Sequence, residues 1–384
     1  MAARSRRLAA LSRLHWVNVF LYDSAAPAVR QESGRARAAL EGPLPKPAST
    51  AQRQTVSAPS ITAVAARAGV SIATVSRIIN GVPKKASKAT VARVQSAVSE
   101  LGYRPMSAGR VLRQGRSRLI AVLAANLANP AMAAIAASTE IALRKQGLVM
   151  VLADTHEDPA LQDEYIREMR AQMVRATVLL AAVPSAGLTA AQAAGEPLLF
   201  VNRRAPRNAA AFVGIDNVRA AEDVAAFLLG SGRRAPAMIH GPLDSSATAD
   251  RVRAFESCLR RRRVGLPARR IATAPGRDHM TIGYAAMDRL LRGREEIDSL
   301  FCLSDLIAFG ARRRATEARI DVPGDLMIVG VDDSPLNDWI APWLSSVRVP
   351  YEAFGSAIAD ALEAMWDGGA GGHRILPHTL VRRP

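Results

Sequence analysis

The sequence has few of the residues that several functional classes require. Aromatic residues make up 4% of the 384 residues, and the only cysteines are Cys258 and Cys302. Two cysteines far apart in the sequence supply neither a disulfide framework nor a structural metal site, so we expect both to be buried thiols. The chain has no run of about eighteen apolar residues, and we therefore expect no membrane association.

Motifs of common enzymes are also missing. The sequence contains no P-loop, no nucleophile elbow and no paired His/Glu metal spacing. Its six histidines are scattered, and we interpret the two that could border a cleft, His240 and His279, as incidental. The sequence therefore predicts no catalytic residue, no metal site and no cofactor, and the protein is not expected to be an enzyme.

The whole chain has a formal charge of +17, and acidic residues are scarce in its first third. Eleven basic residues and one acidic residue lie between Ser60 and Arg118, and residues 1–59 hold nine basic and three acidic residues. The rest of the chain is close to neutral. A basic segment joined to a neutral one is typical of a nucleic-acid-binding head on a body with another role.

The segment Ile61–Asn80 predicts two short helices joined at Gly69, the second beginning at an N-terminal cap, Ser71. Apolar residues recur at helical spacing on each helix: Val64, Ala65 and Ala68, then Val75, Ile78 and Ile79. This is the pattern of a helix-turn-helix, whose second helix enters the DNA major groove. A third helix should follow Ser87 and end at Gly102, with an apolar face formed by Val91, Val94, Val98 and Leu101.

These motifs resemble the head of the LacI/GalR family of bacterial transcription regulators. The resemblance is carried by Ala65, Gly69-Val70-Ser71, Thr74-Val75-Ser76-Arg77, Asn80, Leu101-Gly102-Tyr103 and Pro105. It extends from about residue 60 to the C-terminus. It implies a cytoplasmic, nucleoid-associated homodimer that binds double-stranded operator DNA, most often as a repressor. The DNA-binding residues it implies are Thr62, Ser71, Ile72, Ala73, Thr74, Ser76, Arg77, Asn80, Tyr103, Arg110 and Leu112.

Position on the second helix suggests different roles for these residues. Ile72 and Ala73 should face base edges, where apolar side chains can touch thymine methyl groups. Arg77 can reach a guanine or a phosphate, whereas Thr74 and Ser76 are expected to contact phosphates, which set register. Leu112 matches the family's leucine wedge, which inserts at a base step in the minor groove and kinks the DNA.

From Arg118 onward, apolar strand-like runs alternate with helical segments. Such alternation predicts parallel sheets with right-handed crossovers. Two blocks of this kind imply two lobes with a ligand crevice at the carboxyl ends of the strands. The expected fold is an N-terminal all-α helix-turn-helix head followed by an α/β periplasmic-binding-protein-like body of two parallel-sheet lobes.

The resemblance also suggests which residues line the crevice for a small-molecule effector, such as a sugar, a sugar acid or another polar metabolite. Arg251 is the strongest candidate because a guanidinium offers a rigid fork to hydroxyls or a carboxylate, while Arg253 is assigned to the surface. Asp305 is expected to cap a helix beginning at Leu306. The full set of effector-binding candidates is Asn129, Asn202, Arg203, Arg251, Asp278, Ser304 and Asp332.

Several positions depart from the family pattern. Ala131 and Met132 follow Asn129-Pro130 where the family often has aromatic residues, and Asp278 stands where a ring commonly stacks on the ligand. The sequence therefore predicts a cleft adapted to an unusual effector, such as a charged acid or amine. Alternatively, it has lost its ligand and responds to a protein partner.

The expected boundaries are residues 1–59, a disordered basic extension; 60–105, the head; 106–117, the hinge; and 118–384, the effector-binding and dimerisation body. The extension is either a basic arm that adds DNA affinity or the product of a start codon assigned too far upstream. An exported solute-binding protein is the competing functional interpretation. It fits the body, but it explains neither the head nor the poor signal-like segment Leu14–Tyr22.

Overall fold

The computed structural model describes residues 60–81, 86–103, 117–206, 211–293, 296–368 and 372–383. The expected N-terminal extension, Arg110 and Leu112 lie outside the described residues. The proposed extents of the extension, head, hinge and body therefore stay predictions.

Among its described residues, the head has three helices: α1 (Ile61–Ala68), α2 (Ile72–Ile79) and α3 (Lys88–Glu100). Gly69 ends α1 in the left-handed conformation with φ 66°, and the axes of α1 and α2 bend by 103°. Serine caps all three helices: Ser60, Ser71 and Ser87 each accept the amide three residues on. The predicted turn residue and caps thus produce helix-turn-helix geometry.

A small apolar core holds the head together. Its buried residues are Val64, Ala65, Ala68, Val75, Val94 and Ala97. Ile78, Ile79, Val98, Leu101 and Tyr103 pack around them with partial exposure. The apolar periodicity read from the sequence therefore describes the packing face of each helix, and it leaves the opposite face of α2 open to solvent.

The first lobe is a six-stranded parallel sheet in the order β11-β5-β4-β3-β1-β2. Its strands are β1 (Leu119–Ala124), β2 (Val149–Asp154), β3 (Ala176–Leu180), β4 (Leu198–Val201), β5 (Ala211–Ile215) and β11 (His373–Leu376). The helices associated with it are α4 (Pro130–Lys145), α5 (Pro159–Ala171), α6 (Ala186–Ala193) and α12 (Tyr351–Trp366). The central strands are buried runs of Val, Leu, Ile and Phe, as expected for a sheet covered on both faces.

The second lobe repeats this arrangement in the order β12-β10-β9-β8-β6-β7. Its strands are β6 (Pro236–Ile239), β7 (Ile271–Ala272), β8 (Ser299–Cys302), β9 (Met327–Asp332), β10 (Ser345–Arg348) and β12 (Thr379–Val381). Its helices are α7 (Asn217–Gly230), α8 (Ser246–Arg261), α9 (His279–Arg292), α10 (Asp305–Glu317) and α11 (Asn337–Ile340). Edge strand β12 is antiparallel to β10, and the other strand pairs are parallel.

The chain passes between the lobes three times: after β5, after β10 and between β11 and β12. One apolar cluster includes residues of both sheets, whereas two further clusters fill the remaining face of each lobe. The fold expected from the sequence, a helical head and two parallel-sheet lobes, is confirmed.

Glycine allows an unusually close contact between α9 and α10 in the second lobe. A Cβ atom at Gly283 would collide with the carbonyl oxygen of Ile307, and one at Gly310 with that of Met280. Both cysteines are buried, as predicted. Within the described residues, no single helix is long and apolar enough to cross a membrane, although the bent pair α1 and α2 jointly passes that length-and-composition test.

Candidate functional site

The exposed face of the head lies at the start of α2. Ile72, Ala73 and Arg77 are exposed, and Ile72 keeps 47% of its surface accessible. A large apolar residue at the first position of a helix has no packing role there, but it can contact thymine methyl groups in a major groove. The residues proposed for direct base contact thus lie on one solvent-facing side of α2.

The polar candidates of the head take part in local hydrogen bonds. Ser71 Oγ accepts the amide of Thr74 at 3.2 Å, and its hydroxyl lies 2.9 Å from that of Thr74. The Asn80 side-chain amide donates to the Ser76 carbonyl oxygen at 2.5 Å. Thr62 is exposed in the first turn of α1. Tyr103 packs against the head core with partial exposure, so part of its surface has a structural role.

The second candidate site is a cleft between the two lobes, enclosing about 520 Å³ of empty space that includes its open mouth. Its walls come from the segments that follow β1, β2, β3 and β4 in one lobe and β6, β7, β8 and β9 in the other. The carboxyl ends of parallel strands meet at one edge of a sheet, and this is where open α/β sheets bind ligands.

Six of the seven effector-binding candidates line this cleft: Asn129, Asn202, Arg203, Arg251, Ser304 and Asp332. Asp278 is not among the lining residues of the described chain. It caps α9 instead, accepting the amides of Met280 and Thr281 and the hydroxyl of Thr281, and these hydrogen bonds hold the pKa of its carboxyl below the usual range. The residue of this turn that reaches the cleft is His279.

Four non-glycine residues that line the cleft have a positive φ. They are Glu157 at 55°, Ala181 at 65°, Asn202 at 66° and Asp332 at 123°. Such conformations cost free energy and persist where the surrounding structure imposes them, and they are concentrated at binding and catalytic sites. The backbone strain therefore marks this cleft independently of the side chains.

Arg251 occupies the floor of the cleft with only 6% of its surface exposed. Its Nε donates to Asn217 Oδ1 and its Nη1 to the Leu303 carbonyl oxygen, each at 2.8 Å. Burial lowers the pKa of the guanidinium, and the nearby carboxyl of Asp332 partly offsets this effect. Arg251 is thus held rigidly by Nε and Nη1, and its side chain lines the cleft. Arg253, on the same helix, is exposed as predicted.

The expectation that Asp305 caps the following helix is wrong. Ser304 is the N-terminal cap of α10, accepting the amide of Ile307. Asp305 is instead buried, and it accepts the amide of Asp333 at 2.7 Å, the side-chain amide of Asn337 at 2.6 Å and the hydroxyl of Ser346 at 2.6 Å. The physical reason is that the Asp305 side chain, just after a central strand, gains three donors from the segment after β9, from α11 and from β10.

Asp305, which is buried, and Asp332, which lines the cleft, are close enough for their carboxyl charges to interact. Burial and the charge of Asp332 raise the pKa of Asp305 to about 8, whereas burial raises the pKa of Asp332 to about 7 against the opposing charge of Arg251. Near neutral pH the pair therefore retains protons that isolated aspartates would lose. A partly protonated Asp332 can both donate to and accept from a ligand hydroxyl.

Two further residues of the cleft were not predicted from the sequence: Glu157, and His279, which was interpreted as incidental. The buried carboxylate of Glu157 accepts from Arg203 Nη2 at 3.4 Å and from Arg277 Nη1 at 3.1 Å. His279 Nδ1 lies 2.8 Å from Ser304 Oγ, and burial lowers the pKa of its imidazole. A signal for both was available in the sequence. Glu157 comes just after a strand, and His279 begins a helix that follows one.

Two ion pairs join the lobes beside the cleft. The first is the contact of Glu157, in the first lobe, with Arg277, in the second. The other pairs Arg204 with Asp250 at 2.6 Å, and next to it the Arg204 amide donates to Ser246 Oγ at 2.8 Å. The lobes are therefore held together by charges as well as by the covalent crossovers.

The chemistry of the cleft is polar and hydrogen-bonding. Within the described chain, no Phe, Tyr or Trp lines it, and the lining contributes amides, hydroxyls, two guanidinium groups, an imidazole and two carboxyl groups. The weak ring stacking expected from the low aromatic content is in keeping with this lining. Such a surface can bind a small molecule with many hydroxyl groups.

Comparison with known proteins gives matches for both parts of the chain. Residues 60–106 match the family described as bacterial regulatory proteins, lacI family, and residues 225–384 match a periplasmic binding protein-like domain. The HTH-type transcriptional regulator GntR of Pseudomonas aeruginosa is 31% identical over 316 residues, which cover 82% of this chain and 91% of the relative. The HTH-type transcriptional repressor CytR of Escherichia coli (strain K12) is 29% identical, with coverage of 83% and 94%.

Solved structures agree with this similarity. The complex of the transcriptional regulator CelR with cellobiose is 28% identical, with a TM-score of 0.64, over 85% of this chain and 99% of that one. The lac repressor dimer bound to operator and the anti-inducer ONPF gives a TM-score of 0.73 over 85% and 98% of the two chains. At 24% identity, the latter match supports the fold alone.

Proposed function

We propose how this chain, which belongs to the lacI family of bacterial regulatory proteins, recognises DNA and is controlled. It binds an operator through α2 and the hinge, and a small polar molecule in the cleft controls this binding. Members of the family are DNA-binding transcriptional regulators, and this chain is one of them. The proposal concerns the residues, the type of ligand and the assembly.

On the DNA side, the proposal rests on the exposed start of α2. Ile72 and Ala73 would read base edges, Arg77 would bind a guanine or a phosphate, and Thr62, Ser71, Thr74, Ser76 and Asn80 would contact phosphates. Tyr103 and Arg110 would contribute further contacts. Leu112 would be the wedge at the centre of the operator. The excess of basic residues in this segment would supply the salt-dependent part of the affinity.

On the ligand side, the single observation that carries the proposal is a strained, polar cleft between two lobes. A molecule bound to both walls would favour one arrangement of the lobes over the other. It can shift operator affinity only by its differential affinity for the two arrangements. The residues proposed for binding are Asn129, Asn202, Arg203, Arg251, Ser304 and Asp332, with Glu157 and His279 added.

We propose a homodimer as the assembly that binds the operator, since one head buries little DNA surface. Exposed apolar residues support this. Trp339 is 83% exposed beside Leu336 and Ile340 in the second lobe, and Val149 and Leu152 are exposed on edge strand β2 of the first. Apolar residues grouped in this way typically mark an interface with another protein.

The experiment that tests the regulatory function is a selection from random DNA duplexes at physiological salt, using the purified protein and a Leu112→Ala variant. We expect a palindromic motif with a defined centre, and strongly weakened binding of that motif by the variant. Binding without sequence preference that falls steeply with salt, and is equal in both proteins, would show that the basic charge acts only as an electrostatic anchor.

A further inference from the structure

We infer that the effector is a small hydroxylated carboxylate, of the aldonate or uronate type, whose carboxylate binds Arg203. This inference rests on the proposed role of the cleft as the effector site. It goes further by naming the charge of the ligand and the side chain that receives it. A neutral sugar, an amino sugar and a sugar phosphate are the competing ligands.

The first observation is that Arg203 is incompletely paired. Its side chain is 12% exposed, and its Nη1 atom is buried without a hydrogen-bond partner in the described chain. Its Nη2 makes one long contact, 3.4 Å, with the carboxylate of Glu157. A buried guanidinium nitrogen left unpaired loses its hydration without compensation, at a cost of about 1–3 kcal/mol or more. A ligand oxygen that reached Nη1 through a shift of the Arg203 side chain would remove this penalty.

Glu157 does not satisfy Arg203 because it is shared. The same oxygen, Oε2, accepts a shorter bond, 3.1 Å, from Arg277 of the other lobe. Arg277 also donates to Asp244 at 3.0 Å. The acid nearest to Arg203 is thus partly committed to the inter-lobe ion pair, and Arg203 keeps capacity for a second carboxylate.

The second observation is that the guanidinium groups of Arg203 and Arg251 share one cavity with the His279 imidazole. Burial is the main cause that lowers the pKa of His279 and of Arg251. Glu157 opposes this effect at His279, and Asp332 and Tyr351 oppose it at Arg251, whereas the repulsion from Arg203 lowers both pKa values further. A bound anion would relieve this repulsion, and a guanidinium can bind a carboxylate through two parallel hydrogen bonds.

The acidic groups that face the cleft do not cancel this charge. They are Glu157, which is shared as described, and Asp332, which lies beside Asp305 and retains part of its protons near neutral pH. The small remaining positive charge fits a single carboxylate better than a phosphate with two charges. An ammonium group would face the guanidinium groups and is disfavoured.

The rest of the lining fits the hydroxyl groups of such a ligand. Asn126, Asn129 and Thr248 line the cavity together with the hydroxyl of Ser245. Amides and hydroxyls both donate and accept, as sugar hydroxyls do. Within the described chain, no aromatic side chain lines the cavity to stack on the apolar side of a pyranose ring. An open-chain or carboxylate-bearing compound therefore forgoes no stacking contact relative to a neutral sugar.

Isothermal titration calorimetry on the full-length protein tests the inference with a matched panel. The acids are five- and six-carbon aldonates and uronates, including D-gluconate and D-glucuronate. The comparison compounds are D-glucose and D-glucitol, which lack the charge, D-glucosamine and D-glucose 6-phosphate. We expect at least one acid to bind about 100-fold more tightly than its neutral counterpart, the equivalent of one charge-assisted pair.

Arg203→Met should weaken binding of that acid by about 100-fold, whereas Arg203→Lys should retain part of it. Arg144→Met removes an exposed guanidinium from the same lobe and should leave the affinity unchanged. Operator binding and the melting temperature of each variant check that it is folded. Tighter binding of a neutral, amino or phosphorylated compound, no binding by any acid, or full acid affinity in Arg203→Met would overturn the inference.

These failures are distinct from a failure of the proposed function. The selected operator and its release by any panel compound are measured on the same preparation. Sequence-specific DNA binding that responds to a neutral sugar would leave the regulator in place and remove only the carboxylate. Loss of sequence preference in the DNA selection would remove the proposed function whatever the calorimetry gives.

Discussion

Replacing Arg251 with methionine should separate ligand response from DNA binding and should also cost stability. Methionine keeps much of the aliphatic stem but leaves Asn217 Oδ1 and the Leu303 carbonyl oxygen without the donors they have at 2.8 Å. Both residues are buried. A buried acceptor left unpaired costs about 1–3 kcal/mol.

Two such acceptors cost about 2–6 kcal/mol together, and the expected loss is about 2–4 kcal/mol because the variant no longer buries a charge. A loss of this size corresponds to a fall in melting temperature of roughly 5 °C or more. Removing the guanidinium also takes away the positive charge that lowers the pKa of Asp332. That carboxyl should then titrate at a still higher pH.

The assays are differential scanning fluorimetry, calorimetry with the effector, and operator binding with and without effector. Arg253→Met on the same helix is the matched control, because its side chain is largely exposed. The variant at Arg251 should bind the operator but not release it when effector is added. A melting temperature equal to that of the control, or an unchanged effector response, would refute the assignment of Arg251 as a buried link between ligand and lobe.

Three further predictions concern the body. Because the pKa values of Asp305 and Asp332 are raised to about 8 and 7, the native state holds more protons than the unfolded state from about pH 4 to 8. The free energy of unfolding should therefore fall as pH rises through this window, by up to about 1.4 kcal/mol per pH unit for each excess proton. Measured by urea unfolding, this free energy should depend less steeply on pH in Asp332→Asn. An equally steep pH dependence would contradict the pairing. Gly310→Ala should destabilise the second lobe by about 2 kcal/mol or more in the same assay, because the new methyl group would meet the backbone of Met280. No loss of stability would mean that α9 and α10 separate easily. Trp339→Asp should convert a dimer into monomers in analytical ultracentrifugation and weaken operator binding, and an unchanged mass would exclude this surface from the interface.

The fold was predictable because its signals are local. Gly69, Ser71 and the apolar spacing of α1 and α2 specify a turn, a cap and a packing face over twenty residues. In the body, each buried strand is a short apolar run followed by a helical pattern. These features require no knowledge of distant contacts.

The cleft was only partly predictable because long-range contacts decide which side chains meet there. Arg251 and Asp332 could be proposed from their resemblance to a known pattern. Glu157 could not, since its importance comes from Arg203 and Arg277, which are 46 and 120 residues away. Asp305 shows the same limit: its position suggested a cap, whereas its donors come from residues 28 to 41 positions further along the chain.

The ion pairs Glu157–Arg277 and Arg204–Asp250 bear on the equilibrium between open and closed lobes. Both connect the lobes, and in each pair a buried carboxylate meets an arginine whose side chain is 37% exposed. Dissolved salt screens charges at the open rim of a cleft more than those at its floor. The balance between open and closed lobes should therefore follow the ionic strength of the surrounding solution. The supply of ligand and the salt concentration would then both act on this balance.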